Sequence, residues 1–154
     1  MESSTTNTLS FSRSEKRINR TDLAYIAGFL DGEGSINGHW KKPHNCVITR
    51  VNFYNTDKNI MIWIAKRIGG RLYTVQPRLG TKVQYQLDIR TRDLRWFLKL
   101  MIPFLKVKSK QLRIALILLM MTERKSLLTR KLKWLTILSE LNTGKKIESV
   151  PLGD

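Results

Sequence analysis

The sequence has few acidic residues and almost no cysteine. Twelve Asp and Glu stand against 28 Lys and Arg among 154 residues, which gives a formal net charge of +16. Its single cysteine, Cys46, excludes an internal disulfide and a zinc site built from several cysteines. The excess positive charge predicts a polyanionic partner, with nucleic acid as the first candidate and an acidic membrane surface as the second.

Long apolar runs are also missing. The longest, from Ile114 to Met121, has eight residues and is too short to span a bilayer. We therefore expect a soluble protein with no membrane partner, and the sequence does not indicate its compartment. With 42% hydrophobic residues, the chain is long enough for one domain with a substantial core.

The stretch 21–36 carries the strongest local pattern. Apolar residues recur at helical spacing, and Thr21 is suited to capping the first turn of the predicted helix. Ala24, Gly28 and Gly32 are four residues apart, so they lie along one side of this helix. Because small residues let two backbones approach, this side predicts a close crossing with a second helix.

Two acidic residues, Asp31 and Glu33, lie where this helix gives way to a predicted strand. An acidic turn after a helix is usually a solvated loop. A symmetric helix crossing, however, would bring two copies of Glu33 together, and carboxylates that close repel each other unless cations lie between them. Since Mg²⁺ prefers oxygen ligands, we expect a divalent metal at this end of the helix.

The remaining pattern predicts an α+β domain. The order is helix, two strands, helix, two strands and then helices, and we expect one four-stranded, mainly antiparallel sheet. We interpret residues 1–18 as a flexible N-terminal tail, 19–142 as the single domain, and 143–154 as a C-terminal tail.

One face of the predicted sheet is polar with almost no acids. Asn, Gln and Arg make paired hydrogen bonds to adenine and guanine edges in the major groove of DNA. A solvated face is the usual alternative, but such a face would normally include glutamates. We predict DNA contacts from Asn37, His39, Lys41, Arg50, Asn52, Tyr54, Arg71, Tyr73, Gln84, Gln86 and Arg90.

The nine residues from Ile26 to Gly34 closely resemble the signature of the LAGLIDADG homing endonucleases, with Glu33 where the family often has Asp. The order of elements over roughly residues 20–141 also resembles the family's αββαββα arrangement. The resemblance implies an intron-encoded, site-specific double-strand DNA endonuclease with a long pseudo-palindromic target. Because the chain has one copy of the signature and cutting two strands needs two carboxylates, we expect a homodimer.

The resemblance also implies roles for individual residues. Glu33 and the Gly32 carbonyl would bind Mg²⁺, or another divalent cation such as Mn²⁺. Lys108, in a segment before the penultimate helix, would stabilise charge on the phosphate, and Asn55 would orient the attacking water. The predicted dimer interface comprises Ala24, Ala27, Gly28 and Gly32. Two alternatives stay open, an intron RNA-binding maturase and a DNA-binding protein of the same fold that does not cut.

Overall fold

A computed structural model describes residues 7–75, 79–121 and 127–144. The elements in chain order are β1 (Thr8–Phe11), α1 (Arg20–Glu33), β2 (Gly34–Lys41), a 3-10 turn (Lys42–His44), β3 (Cys46–Asn55), α2 (Lys58–Ile68), β4 (Gly70–Val75), β5 (Gln84–Asp88), α3 (Thr91–Met101), α4 (Ser109–Met120) and α5 (Leu128–Asn142). The predicted α+β class is confirmed. No helix in the described ranges is long and apolar enough to cross a membrane.

The sheet has five antiparallel strands in the order β1-β4-β5-β3-β2. The four predicted strands are all present, but the predicted strand count was wrong by one. Residues assigned to a flexible tail form β1, which pairs with β4 from Thr8 opposite Tyr73 to Phe11 opposite Gly70. The free edge of β4 supplies hydrogen-bond partners to this short segment, and Phe11 packs against the core. The predicted C-terminal tail lies almost wholly outside the described residues.

The helices cover one face of the sheet and bury its apolar side chains. Leu23, Ile26, Ala27 and Leu30 attach α1 to the sheet, each 8% exposed or less. A ring contact with centroids 6.0 Å apart joins Phe53 of β3 to α3. This packing holds the signature helix rigidly against the strands, with its C-terminal end beside the start of β2 and the end of β3.

Local residues define both ends of α1. The N-cap is Asn19 rather than the predicted Thr21, since the Asn19 side-chain oxygen accepts the Asp22 N–H at 2.7 Å. At the other end the helix turns directly into β2 at Gly34. A Cβ atom at this position would lie 2.9 Å from the Leu30 carbonyl oxygen, so the turn requires glycine.

Candidate active site and nucleic-acid interface

Both acidic residues of the signature lie in the last turn of α1, and their surroundings differ. The Glu33 side chain is exposed and makes no hydrogen bond or ion pair within the described residues. Asp31 is partly buried and faces the segment that leads into α4. One carboxylate is therefore free to bind a ligand, while the other is committed to the protein.

Asp31 anchors the loop that carries the predicted catalytic lysine. Its two oxygens accept three consecutive backbone N–H groups, those of Lys106 at 2.8 Å, Val107 at 3.1 Å and Lys108 at 2.9 Å. Burial raises the pKa of Asp31, but the three N–H groups and the Lys108 charge outweigh burial and hold the pKa below its ordinary value. The Asp31 side chain thus connects the end of α1 to the loop before α4, although Asp31 and Lys108 are 77 positions apart in the sequence.

The same contact directs the Lys108 side chain into the site, where its ammonium group donates to the Asp31 carbonyl oxygen. Burial lowers the pKa of Lys108, and the negative charges of Asp31 and Glu33 partly oppose that effect. The Lys108 ammonium is therefore close enough to Glu33 to interact with its charge. The two residues predicted to act together lie in one site.

We expect Asp31→Asn to lower the free energy of unfolding by about 1–3 kcal/mol at pH 7, because an amide oxygen is a weaker acceptor than a carboxylate. The folded-state pKa of Asp31 is depressed, so its contribution is present above the ordinary value of 3.8 and is lost as the pH falls through the folded-state value. Urea denaturation at pH 7 and pH 3 would measure this, with the exposed Glu15→Gln as control. If Asp31→Asn lowered the free energy of unfolding by the same amount at both pH values, the proposed role of the Asp31 charge would be wrong.

The donors at the end of α1 suit a hard cation. The Glu33 carboxylate has no hydrogen-bond or ion-pair partner in the described part of the chain, and Gly32 lies in the last turn, where carbonyl groups lack intrahelical partners. The negative end of the helix dipole also attracts a cation. Within the described residues, however, no group of three or more His, Cys, Asp or Glu side chains could hold a metal ion. The candidate oxygen ligands at this helix end are therefore the Glu33 carboxylate and the Gly32 carbonyl.

Asn55, the last residue of β3, lies at the same end of the sheet as Glu33, since Gly34 pairs with Phe53 two residues before it. Strand alternation places Asn55 on the helix-covered face, opposite to that of Tyr54. Its side-chain oxygen accepts the Asp57 N–H at 2.8 Å. This bond orients the carboxamide and leaves its NH₂ group as a donor.

The strand register places the predicted DNA-contacting strand residues on one face, away from the helices. Directly paired residues share a face of a sheet. On β2 and β3, Asn37 pairs with Arg50. On β5, Gln86 pairs with Tyr54 of β3 on one side and with Tyr73 of β4 on the other, so the face runs across four strands. The face is continuous across β2, β3, β5 and β4, and its strand residues include the cations Lys41, Arg50 and Arg71. Such a surface suits a polyanion.

A cleft of about 660 Å³ opens on this face beside the end of β5. Its basic lining consists of Arg50, Arg71, Arg90 and Arg92. The Nε atom of Arg90 is buried and has no hydrogen-bond partner among the residues that the structure describes. Arg92 was missed by the sequence analysis because it lies in the first turn of α3, beyond the alternating pattern of the strand. Four guanidinium groups around one cleft provide donors for phosphate or guanine.

Other side chains on the face are less accessible than the sequence suggested. Asn52 is only 4% exposed and donates to Asp88, so its predicted role as a direct DNA contact conflicts with its burial. The Asn37 amide donates to the Ser35 hydroxyl at 3.2 Å. Burial, together with the charges of Arg50 and Lys41, lowers the pKa of His39. Both effects favour the neutral form of His39.

The small-residue side of α1 is exposed at Ala24, Gly28 and Gly32. A Cβ atom at either glycine would meet nothing within 4 Å. The surface is thus flat and open. Ala27, in contrast, is 0% exposed and belongs to the core, so its predicted place in a subunit interface is wrong. Successive residues differ by about 100° around a helix, which turns Ala27 away from Gly28.

Comparison with solved structures identifies the class of fold. The chain resembles the homing endonuclease I-CvuI in complex with its target in the presence of 2 mM Ca, with a TM-score of 0.65, 21% identity, and coverage of 84% of this chain and 87% of that one. It also resembles the archaeal intron-encoded homing endonuclease I-Vdi141I complexed with DNA, with a TM-score of 0.60, 19% identity and coverage of 87% and 89%. The chain therefore has the homing endonuclease fold.

A curated relative extends the comparison to sequence. The DNA endonuclease I-CreI of Chlamydomonas reinhardtii is 30% identical over 106 residues, which cover 65% of this chain and 63% of the relative. The match thus spans somewhat under two thirds of that relative's length. No family model matches the chain. The chain is therefore similar to a DNA endonuclease over the matched 106 residues, and it shares the homing endonuclease fold.

Proposed function

We propose that this protein is a site-specific double-strand DNA endonuclease that hydrolyses phosphodiester bonds in a long, pseudo-palindromic target. The observation that carries the proposal is the exposed, unpartnered Glu33 beside Lys108, on a chain that also presents a basic sheet face. A DNA-binding surface alone would not need a lysine held at the helix end that carries an exposed carboxylate. The similar I-CvuI and I-Vdi141I structures, which are complexes with DNA, support DNA as the partner.

Glu33 and the Gly32 carbonyl would hold a divalent cation, with Mg²⁺ or Mn²⁺ as candidates. A structure of I-CvuI with an I-CreI target in the presence of 2 mM Mg reveals DNA that is not cleaved, so it does not select between these two cations. When bound, such a cation supplies Lewis-acid polarisation and a water of lowered pKa. Lys108 would stabilise the negative charge that grows on the phosphate, because Asp31 fixes its backbone and directs its ammonium group. Asn55 would donate its NH₂ group to orient the attacking water.

The active unit would be a homodimer that meets along Ala24, Gly28 and Gly32. Each chain has one Glu33, and the carboxylate and carbonyl of one subunit form only part of a cation site. A second copy packed along the open side of α1 would bring the two helix ends together. Cleavage of both strands then follows from one assembly.

The size of the sheet sets the length of the target. The eight residues of β2 span about 26 Å at roughly 3.3 Å per residue, and base pairs repeat about every 3.4 Å. One subunit therefore follows about eight base pairs. Two symmetric subunits would read two half-sites related by the dimer axis.

Alanine variants separate base reading from charge attraction. If Arg50 or Gln84, both exposed on the polar face, contacts a base, its removal should weaken binding to the preferred site by about 1–3 kcal/mol and relax preference at one position in each half-site. Lys106→Ala, in the loop before α4, should instead weaken binding to all DNA sequences alike. It should also reduce the slope of log binding constant against log salt concentration by about 1.

Binding profiles of the three variants on a library of altered duplex sites would measure both effects. Because a dimer carries each change twice, relaxed positions should lie at equal distances from the centre of the cut. Uniform loss of affinity for Arg50→Ala and Gln84→Ala would mean that the sheet does not read sequence, which would favour an RNA-binding or nonspecific role.

A further inference from the structure

Asp88, the last residue of β5, supplies the one carboxylate on the polar face among the described residues. Its Oδ1 atom accepts the side-chain NH₂ of Asn52 at 2.5 Å and that of Gln86 at 2.6 Å. Asn52 is opposite Asp88 on β3, and Gln86 is two residues earlier on the same strand. One carboxylate oxygen thus accepts hydrogen bonds from both side-chain amides.

Neutralising the nearby arginines would be the simplest role for this carboxylate. Arg71 is directly opposite Asp88 on β4, and Arg50, Arg71 and Arg90 line the same cleft. Yet Asp88 forms no ion pair with an arginine among the described residues. Its short contacts are with neutral amides, so its position is better explained by those amides than by the surrounding charge.

The chemistry of the contact determines how each amide is turned. An ionised carboxylate only accepts hydrogen bonds, so each amide must point its NH₂ group toward Asp88 and its carbonyl oxygen away from it. Asn52 is buried and thereby helps to fix Asp88. Gln86 is only partly buried, between Tyr54 and Tyr73 in the register, and its side chain remains within reach of a ligand on this face.

We propose that Asp88 is a positioning residue that determines base specificity by holding Gln86 with its carbonyl oxygen toward the DNA. In the major groove, an accepting oxygen matches the amino groups of adenine and cytosine and opposes the keto oxygens of guanine and thymine. Gln86 would therefore select an amino-bearing base at one position of each half-site. This inference rests on the proposed function, because it requires sequence-specific DNA binding.

Asp88→Asn is the direct test, because asparagine both donates and accepts and so no longer forces the orientation of Gln86. In binding selection from a randomised DNA duplex library, the preference for adenine or cytosine at one symmetric pair of positions should fall by about fivefold or more. Overall affinity should stay equal or rise, since a negative charge is removed from the DNA-facing surface. Glu15→Gln makes the same charge change on an exposed loop away from this face and should leave the base preference unchanged.

Gln86→Ala keeps the test decisive if Asp88→Asn folds poorly. Gln86→Ala alone should lose the same adenine or cytosine preference, and adding Asp88→Asn should change nothing further at that position. The inference would be overturned if either single variant kept the parent preference, or if the Asp88→Asn effect persisted without Gln86. A parent protein with no preferred sequence at all would overturn the proposed function as well.

Discussion

Glu33→Gln is expected to bind the DNA target with an affinity within about threefold of the parent and to cleave it at least about 1,000-fold more slowly. The substitution removes the charge but little volume. The side chain is exposed and makes no hydrogen bond or ion pair in the described part of the chain, so its removal should not disturb the fold. A neutral amide is a poor ligand for a hard divalent cation. Cleavage and binding of the same duplex, measured side by side with Mg²⁺, would give both values.

Glu15→Gln is the matched control for this change, because Glu15 is an exposed residue outside the site. It should cleave and bind like the parent. If Glu33→Gln lost binding but retained cleavage, or retained both, the assignment of Glu33 to the metal site would be wrong.

Gly28→Leu is expected to yield a folded monomer without double-strand cleavage. Within one subunit the new side chain meets open space, and leucine favours a helix more than glycine does, so the isolated chain should remain folded. Only a partner packed closely against α1 would be displaced, since adding bulk to a tight contact typically costs about 1–3 kcal/mol or more, and a symmetric interface carries the change twice. Sedimentation equilibrium would measure the oligomeric state, and circular dichroism the fold.

Thr129→Leu adds a similar side chain at an exposed position of α5 and serves as the control, with an unchanged oligomeric state. An active dimer of Gly28→Leu would exclude this side of α1 as the interface. The test is informative because the structure predicts no penalty within the subunit itself.

Most of the fold could be predicted from periodicity. The alternation in β3 and β5 correctly separated the core-facing residues from the polar face, and the register confirms that separation. Two features of the fold were predicted wrongly. The strand from Thr8 to Phe11 alternates polar and apolar residues over only four positions, and it forms because β4 offers an open edge, which is a tertiary effect. Ala27 resembles Ala24 and Gly28 in size, but it lies at apolar helical spacing from Leu23 and Leu30 and faces the core with them.

The site was predictable only where a residue type matched a motif. Lys108 and Glu33 were predicted as site residues from the resemblance to the family signature and its associated lysine segment. The Asp31 contact with the Lys108 loop and the Asp88 contact with Asn52 join residues far apart in sequence, and no local pattern encodes such pairs. The burial of Asn52 follows from the second of these contacts.

Sequencing the ends formed in a randomised plasmid library tests the central proposal most directly. The parent protein and Glu33→Gln would each be incubated with the library in Mg²⁺ and in a chelator. We expect double-strand breaks from the parent in Mg²⁺ only, at one preferred sequence with two related half-sites. Breaks without sequence preference, breaks that persist in the chelator, or equal cleavage by Glu33→Gln would contradict the account.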